Sequence, residues 1–270
     1  MKLFSCLILF SLSISLGAHE KKNEIFGRFE YGFLATLLHK SKWGESGTEF
    51  NYTKNGGQDV LFPNWRIEAG WIFSKKHKLS FLYQPIFIQT EVILSEELTV
   101  DNVIFPKNTN LSTTYNFPFY RASYWYLLSH SQFFDFWLGG GLQIRNADIR
   151  FKDLNSKNAF RTANIGPVPL INLASTFRTK SAFSFYMAAT GFWAPIKYLN
   201  GGSTDINGWI YEFEFVPTYE IRKGFSAFAN LRFLGGGAIG TSKTERSSGG
   251  KYSRDELLTM SITMGLQKSY

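Results

Sequence analysis

Strict period-two alternation runs through this chain and limits its fold more than any other feature. In LLTMSITMGLQKSY, residues 257–270, Leu258, Met260, Ile262, Met264, Leu266 and Tyr270 share one parity, while Thr259, Ser261, Thr263, Gly265 and Gln267 take the other. That is the pattern of a strand with one apolar face. IFGRFEYGFLATLL repeats it, with Phe29, Tyr31, Phe33, Ala35 and Leu37 opposed to Arg28, Glu30 and Thr36. NWRIEAGWIF does so again, with Trp65, Ile67, Ala69, Trp71 and Phe73 opposed to Arg66, Glu68 and Gly70. Further segments over about 79–90, 117–128, 133–145, 165–177, 182–193, 208–219 and 224–234 bring the set to ten. FLYQPIFIQ and GPVPLINLA carry Pro85, Pro167 and Pro169. Proline cannot donate to a sheet ladder, so bulges or shifted pairing are expected there.

The apolar faces must meet something. Phe, Tyr and Trp number 27, 13 and 7, yet the mean hydropathy is −0.13. No apolar run beyond the N-terminus reaches the roughly 18 residues of a membrane helix. The first residues, MKLFSCLILFSLSISLGAHEKK, set Lys2 before an apolar run and then small residues, the layout of a secretory signal peptide. Cleavage after Gly17 or Ala18 is expected, giving a signal over 1–17 and one domain over 18–270. Cys6, the single cysteine, leaves with the signal, so disulfides and thiolate chemistry play no part. The formal charge of +8 invites a nucleic-acid reading. The positions of the charges oppose it, because Lys75, Lys76, Lys78, Arg178, Lys180, Arg222 and Lys223 fall in short connections rather than along one stripe. Cationic turns suit a leaflet of anionic lipid.

Connections alternate in length. Those at 74–78, 129–132, 178–181 and 220–223 are short, while 39–63, 91–116, 146–164, 194–207 and 235–255 are long. With the signal peptide, the alternating strands, this loop asymmetry and a last strand ending in Tyr270, the chain resembles a small bacterial outer-membrane β-barrel protein. The resemblance implies an all-β fold, a transmembrane antiparallel up-and-down β-barrel of about ten strands, with short periplasmic turns and five long external loops. It implies residence in the outer membrane, contact with outer-membrane lipids and delivery by the barrel-assembly machinery. Ile262, Met264, Leu266 and Tyr270 match the terminal pattern that this machinery reads, whereas Lys268 sits where an apolar residue is more usual.

If the apolar parity faces lipid, Arg28, Glu30, Arg66, Glu68, Arg121, Asp135, Arg145, Glu212, Glu214 and Arg232 point into the lumen, beside Gln84, Gln143 and Asn230. Five arginines meet five acids in a narrow interior, where such long side chains can cross and pair. A salt-bridged filling is therefore expected, with Arg28 and Glu30 pairing across the hairpin with Arg66 and Glu68. Trp43, Trp65, Trp71, Tyr124, Tyr126, Trp193, Trp209 and Tyr211 read as interfacial girdles. GGGAIG at 235–240 satisfies G-x-G-x-x-G in letters, but a polar loop follows where the fingerprint needs a helix. His39, His77 and His130 show no metal-ligand spacing and no acid beside them at the long-loop end, so no catalytic group, metal or cofactor is expected. The function expected is a structural or interaction protein whose loops take an extracellular ligand. A narrow channel for small polar solutes is the alternative, and an outer-membrane lipid hydrolase or protease a lesser one.

Overall fold

The computed structural model describes residues 23–195, 204–242 and 252–270; the expected signal over 1–17 lies outside them. Among the described residues every regular element is a strand. In chain order they are β1 (Asn23–Trp43), β2 (Phe50–Asn51), β3 (Leu61–Phe73), β4 (His77–Gln84), β5 (Phe87–Ile93), β6 (Leu98–Val100), β7 (Val103–Phe105) and β8 (Asn110–Asn116). There follow β9 (Phe119–His130), β10 (Phe134–Asp153), β11 (Ala159–Arg178), β12 (Phe183–Pro195), β13 (Thr204–Arg222), β14 (Phe225–Ser242) and β15 (Tyr252–Ser269). Antiparallel pairing runs β1–β3–β4–β9–β10–β11–β12–β13–β14–β15 and returns to β1, which closes a ten-strand barrel. The closing seam is long, from Phe26↔Ser269 to Trp43↔Ser253. Ile25 and Tyr270 exchange backbone hydrogen bonds at its lower end.

Alternation sets which side chains face out. Phe29, Tyr31, Phe33, Ile67, Trp71, Phe81, Leu142, Ile144, Ile171, Tyr211, Ile262, Met264 and Leu266 are exposed on the outer face, and the other parity is buried. An apolar band of this extent has no place in water and is the surface a bilayer covers. Lipid-side glycines serve packing: a Cβ at Gly235 would stand 2.3 Å from the Tyr211 ring and one at Gly237 2.6 Å from Trp209, so both rings lie across bare backbone. The glycine run expected to leave the membrane as a loop is therefore part of β14.

Three expectations about the connections change. Pro85 does interrupt a strand, dividing β4 from β5, but Pro167 and Pro169 lie in a continuous β11 because their nitrogens face away from β10. On that other side the β11–β12 ladder stops at Ile171↔Gly191. Phe192 to Pro195 pair with β13 alone among the described residues. Second, the loop expected over 146–164 shrinks to 154–158, since β10 and β11 pair without a break from Phe134↔Phe177 to Lys152↔Ala159. At about 3.3 Å per residue such a strand is roughly 65 Å long, far more than a tilted crossing needs. Its outer half stands clear of the membrane, where Asp148, Arg150 and Lys152 take the outward positions. Third, the loops after β1 and β5 fold inward. Phe50, Tyr52, Leu94, Leu98, Val100 and Phe105 form one buried cluster with Leu34, Phe62, Ile88, Phe119, Ile149 and Phe151 from the barrel wall.

Candidate functional site

The interior is stacked in layers. At mid-height the inward side chains are ionic. Arg66, on β3, donates to both carboxylate oxygens of Glu214 on β13 at 2.8 and 2.7 Å, and its Nε lies 3.0 Å from Glu30. Arg121, on β9, donates to both oxygens of Glu212 at 2.9 and 3.1 Å and to Gln143 Oε1 at 3.0 and 2.8 Å. β3 and β9 each stand four strands from β13 around the ring, so both guanidinium groups bridge the lumen. Asn230 donates to Glu30 and to Glu214, at 3.1 Å to the nearer oxygen of each. Arg232 reaches Glu30 at 3.5 Å and Ser261 at 3.2 Å. Arg66 and Glu30 are 2% and 1% exposed, so each charge survives only because an opposite one and further donors meet it.

The other inward residues fall in different places. Arg28 turns to Glu30 at 3.5 Å and lies 4.1 Å over the Phe228 ring, although Glu68 is its register partner. Asp135 sits at the short-turn rim, bonded to His130 at 2.6 Å and to Arg178, away from the central layer. Arg145 makes no ion pair among the described residues; its guanidinium carbon is 5.7 Å from the Phe117 ring. Lys78, expected in a turn, is the second residue of β4 and points inward, 4.4 Å from the Trp125 ring and 5.0 Å from Trp137. Indole faces replace a carboxylate as the partner of this ammonium.

Above the ionic layer lies the apolar cluster already described, and inside it a polar group that sequence reasoning missed. His39 is fully buried and stacks on Tyr52 with centroids 3.8 Å apart. Its Nδ1 is 2.8 Å from Gln58 Oε1, and its Nε2 is 3.8 Å from Asp255. The Tyr115 hydroxyl donates to Asp255 at 3.3 Å. Burial pushes the Tyr52 phenol upward in pKa, so it stays neutral and donates or accepts only as a hydroxyl. An acid and a histidine thus do meet at the long-loop end, against expectation, because β15 and β1 are neighbours at the closing seam, although 216 positions separate the two residues. The one signal available in sequence was the run of apolar residues in segments otherwise read as polar loops, from Phe50 and Tyr52 to Phe105.

No protein-family model matches the chain, and no curated protein matches it. Solved structures do. The outer membrane protease OmpT from Escherichia coli superposes with a TM-score of 0.56 at 10% identity, covering 93% of this chain and 98% of that one. The chain has the fold of a small bacterial outer-membrane β-barrel. That fold and its exposed apolar band place it in the bacterial outer membrane. The transport unit of the autotransporter AIDA-I from Escherichia coli, with a TM-score of 0.45, 9% identity and 95% and 94% of the two chains covered, shares the architecture more loosely. So does OprG from Pseudomonas aeruginosa, with a TM-score of 0.35, 9% identity and 90% and 95% covered. A shared barrel fold by itself says little about activity.

Proposed function

We propose that this protein is a closed outer-membrane barrel with a structural or interaction role, presenting its external cap on a rigid stave wall. The bidentate Arg66–Glu214 bridge across the lumen carries the reading. Its guanidinium occupies the axis a solute would follow, and the apolar cluster of the two inward-folded loops lies over it. An enzymatic role is not favoured, since His39 is sealed beneath Tyr52 and Gln58. The partners that fit are outer-membrane lipids around the band and an extracellular ligand on the cap, whose exposed surface includes Glu45, Glu49, Lys54, Glu96 and Lys107.

The mature chain, on this reading, starts at Ala18 or His19 and is inserted by the barrel-assembly machinery through Ile262, Met264, Leu266 and Tyr270. Tyr270→Ser is expected to lower the heat-modifiable, folded fraction in membranes; unchanged insertion would remove that role. Single cysteines test display, because no native cysteine follows Cys6. Asn55→Cys and Lys107→Cys should react with an impermeant maleimide on intact cells, and Gln132→Cys, in a short turn, only after lysis. Liposomes carrying the protein should not swell in arabinose. Rapid swelling would replace the closed barrel with a channel.

A further inference from the structure

Arg145 is inward, has no ion pair among the described residues and is placed beside open space. On the same inward row, Gln143 is fully buried; its Oε1 takes two bonds from Arg121, while its Nε2 has no partner among the described residues. Arg145 Nε is likewise buried without a partner. The register partner of Arg145 on β11 is Gly166, where a Cβ would meet nothing within 4 Å. Next to it begins the stretch of β11 in which Pro167 and Pro169 have no N–H to offer β12 and the β11–β12 ladder has ended. Lower on the same strand, Asn172 is fully buried with neither amide atom partnered. One wall of the lumen therefore carries several unspent donors, a positive charge with no ion pair among the described residues and room left by a missing side chain.

We infer that Arg145 and Gln143 form a binding site for a small monocarboxylate, seated in the space beside Gly166. A guanidinium presents two parallel N–H groups at the spacing of a carboxylate's oxygens, and an amide N–H alongside adds a third donor. One cation with no ion pair among the described residues matches a monoanion; a phosphate dianion would bring a surplus charge into a partly desolvated wall. The Phe117 ring near Arg145 gives a flat apolar tail something to lie against. Gln143 belongs to the ionic layer through Arg121 and Arg145 stands one inward position above it on β10, so filling the site does not require a solute to cross the barrel.

Equilibrium dialysis of benzoate against the folded protein in detergent at pH 7 tests this. Wild type should bind saturably at one site, with acetate weaker and competitive. Arg145→Gln should weaken binding at least tenfold, and Arg145→Lys, which keeps the charge but loses the fork, should fall between. Gly166→Phe should abolish binding by filling the space while both donors remain. Heat-modifiability on gels verifies that each variant is folded, and Arg145→Gln should lose no stability without ligand because it removes a charge that had no ion pair among the described residues. Absence of saturable benzoate binding to wild type, equal binding by Arg145→Gln and Gly166→Phe, or inorganic phosphate displacing benzoate at equal concentration would overturn the assignment.

Discussion

Arg66 spends its guanidinium on two carboxylates from different strands, bidentate to Glu214 and through Nε to Glu30. Removing one member leaves the others charged, buried and unmatched, which typically costs about 3 to 5 kcal/mol. Glu214→Gln should therefore lower the free energy of unfolding, read from urea titration, by an amount in that range, whereas Glu45→Gln on the exposed cap should stay within about 0.5 kcal/mol of wild type. The pair Arg66→Met with Glu214→Leu should be milder than Glu214→Gln alone, since no charge is stranded. A different ionic group stands on the outward, extramembrane half of β10. Hydrogen bonds from Arg150 and then Arg161 hold the Asp148 carboxyl down at about 2. A depressed carboxyl stabilises the fold fully above its unfolded value of about 3.9, and that contribution is lost as pH falls through about 2. Both arginines are half exposed or more, so solvent screening keeps the effect below about 1 kcal/mol. Unfolding midpoints of wild type and Asp148→Asn should differ at pH 7 and converge near pH 2; a gap unchanged with pH would sever Asp148 from the acid limb.

Strands were legible because membrane strands must alternate, and alternation survives in sequence wherever one face meets lipid. Phe29 to Leu37 and Trp65 to Phe73 announce themselves this way, and both stand as strands. Strand ends were not legible. β10 and β11 continue outward past the apolar band, where the polarity of β10 inverts: Asn146, Asp148, Arg150 and Lys152 face out while Ala147, Ile149 and Phe151 face in, so the apolar-out pattern that marks a membrane strand stops there. Nor could parity show the cap, since Tyr52 and Phe105 are buried by tertiary packing from short segments with no periodicity. The inward arginines and glutamates were legible one by one, but their partners were not. Glu214 meets Arg66 from 148 positions away, a proximity that strand order round a closed ring creates. The element with a consequence for dynamics is β11. Its lower part pairs on both sides, while above Ile171 it holds to β10 alone among the described residues. Amide exchange should be slow at Asn172 to Phe177 and faster at Ala163 and Ile165, whose N–H groups share the side of Pro167 and Pro169 and face away from β10. Uniform protection along β11 would show that the upper seam is sealed by other means.

At the scale of the whole molecule, two unlike materials fill one tube. The mid-height ionic layer ties β3 and β9 to β13 across the axis, and the outer layer is an apolar core of the kind found in water-soluble domains. They resist opening in different ways: the ions by the cost of separating desolvated charges, the cap by the area it hides from water. A breach of one leaves the other in place. The direct test of closure is single-molecule conductance of the purified wild-type protein in a planar bilayer at 1 M KCl. Closure predicts a silent baseline, with at most brief, small events, across the range of applied voltage. Long-lived, ion-selective open steps of uniform size would contradict it and make the charged lumen a pathway.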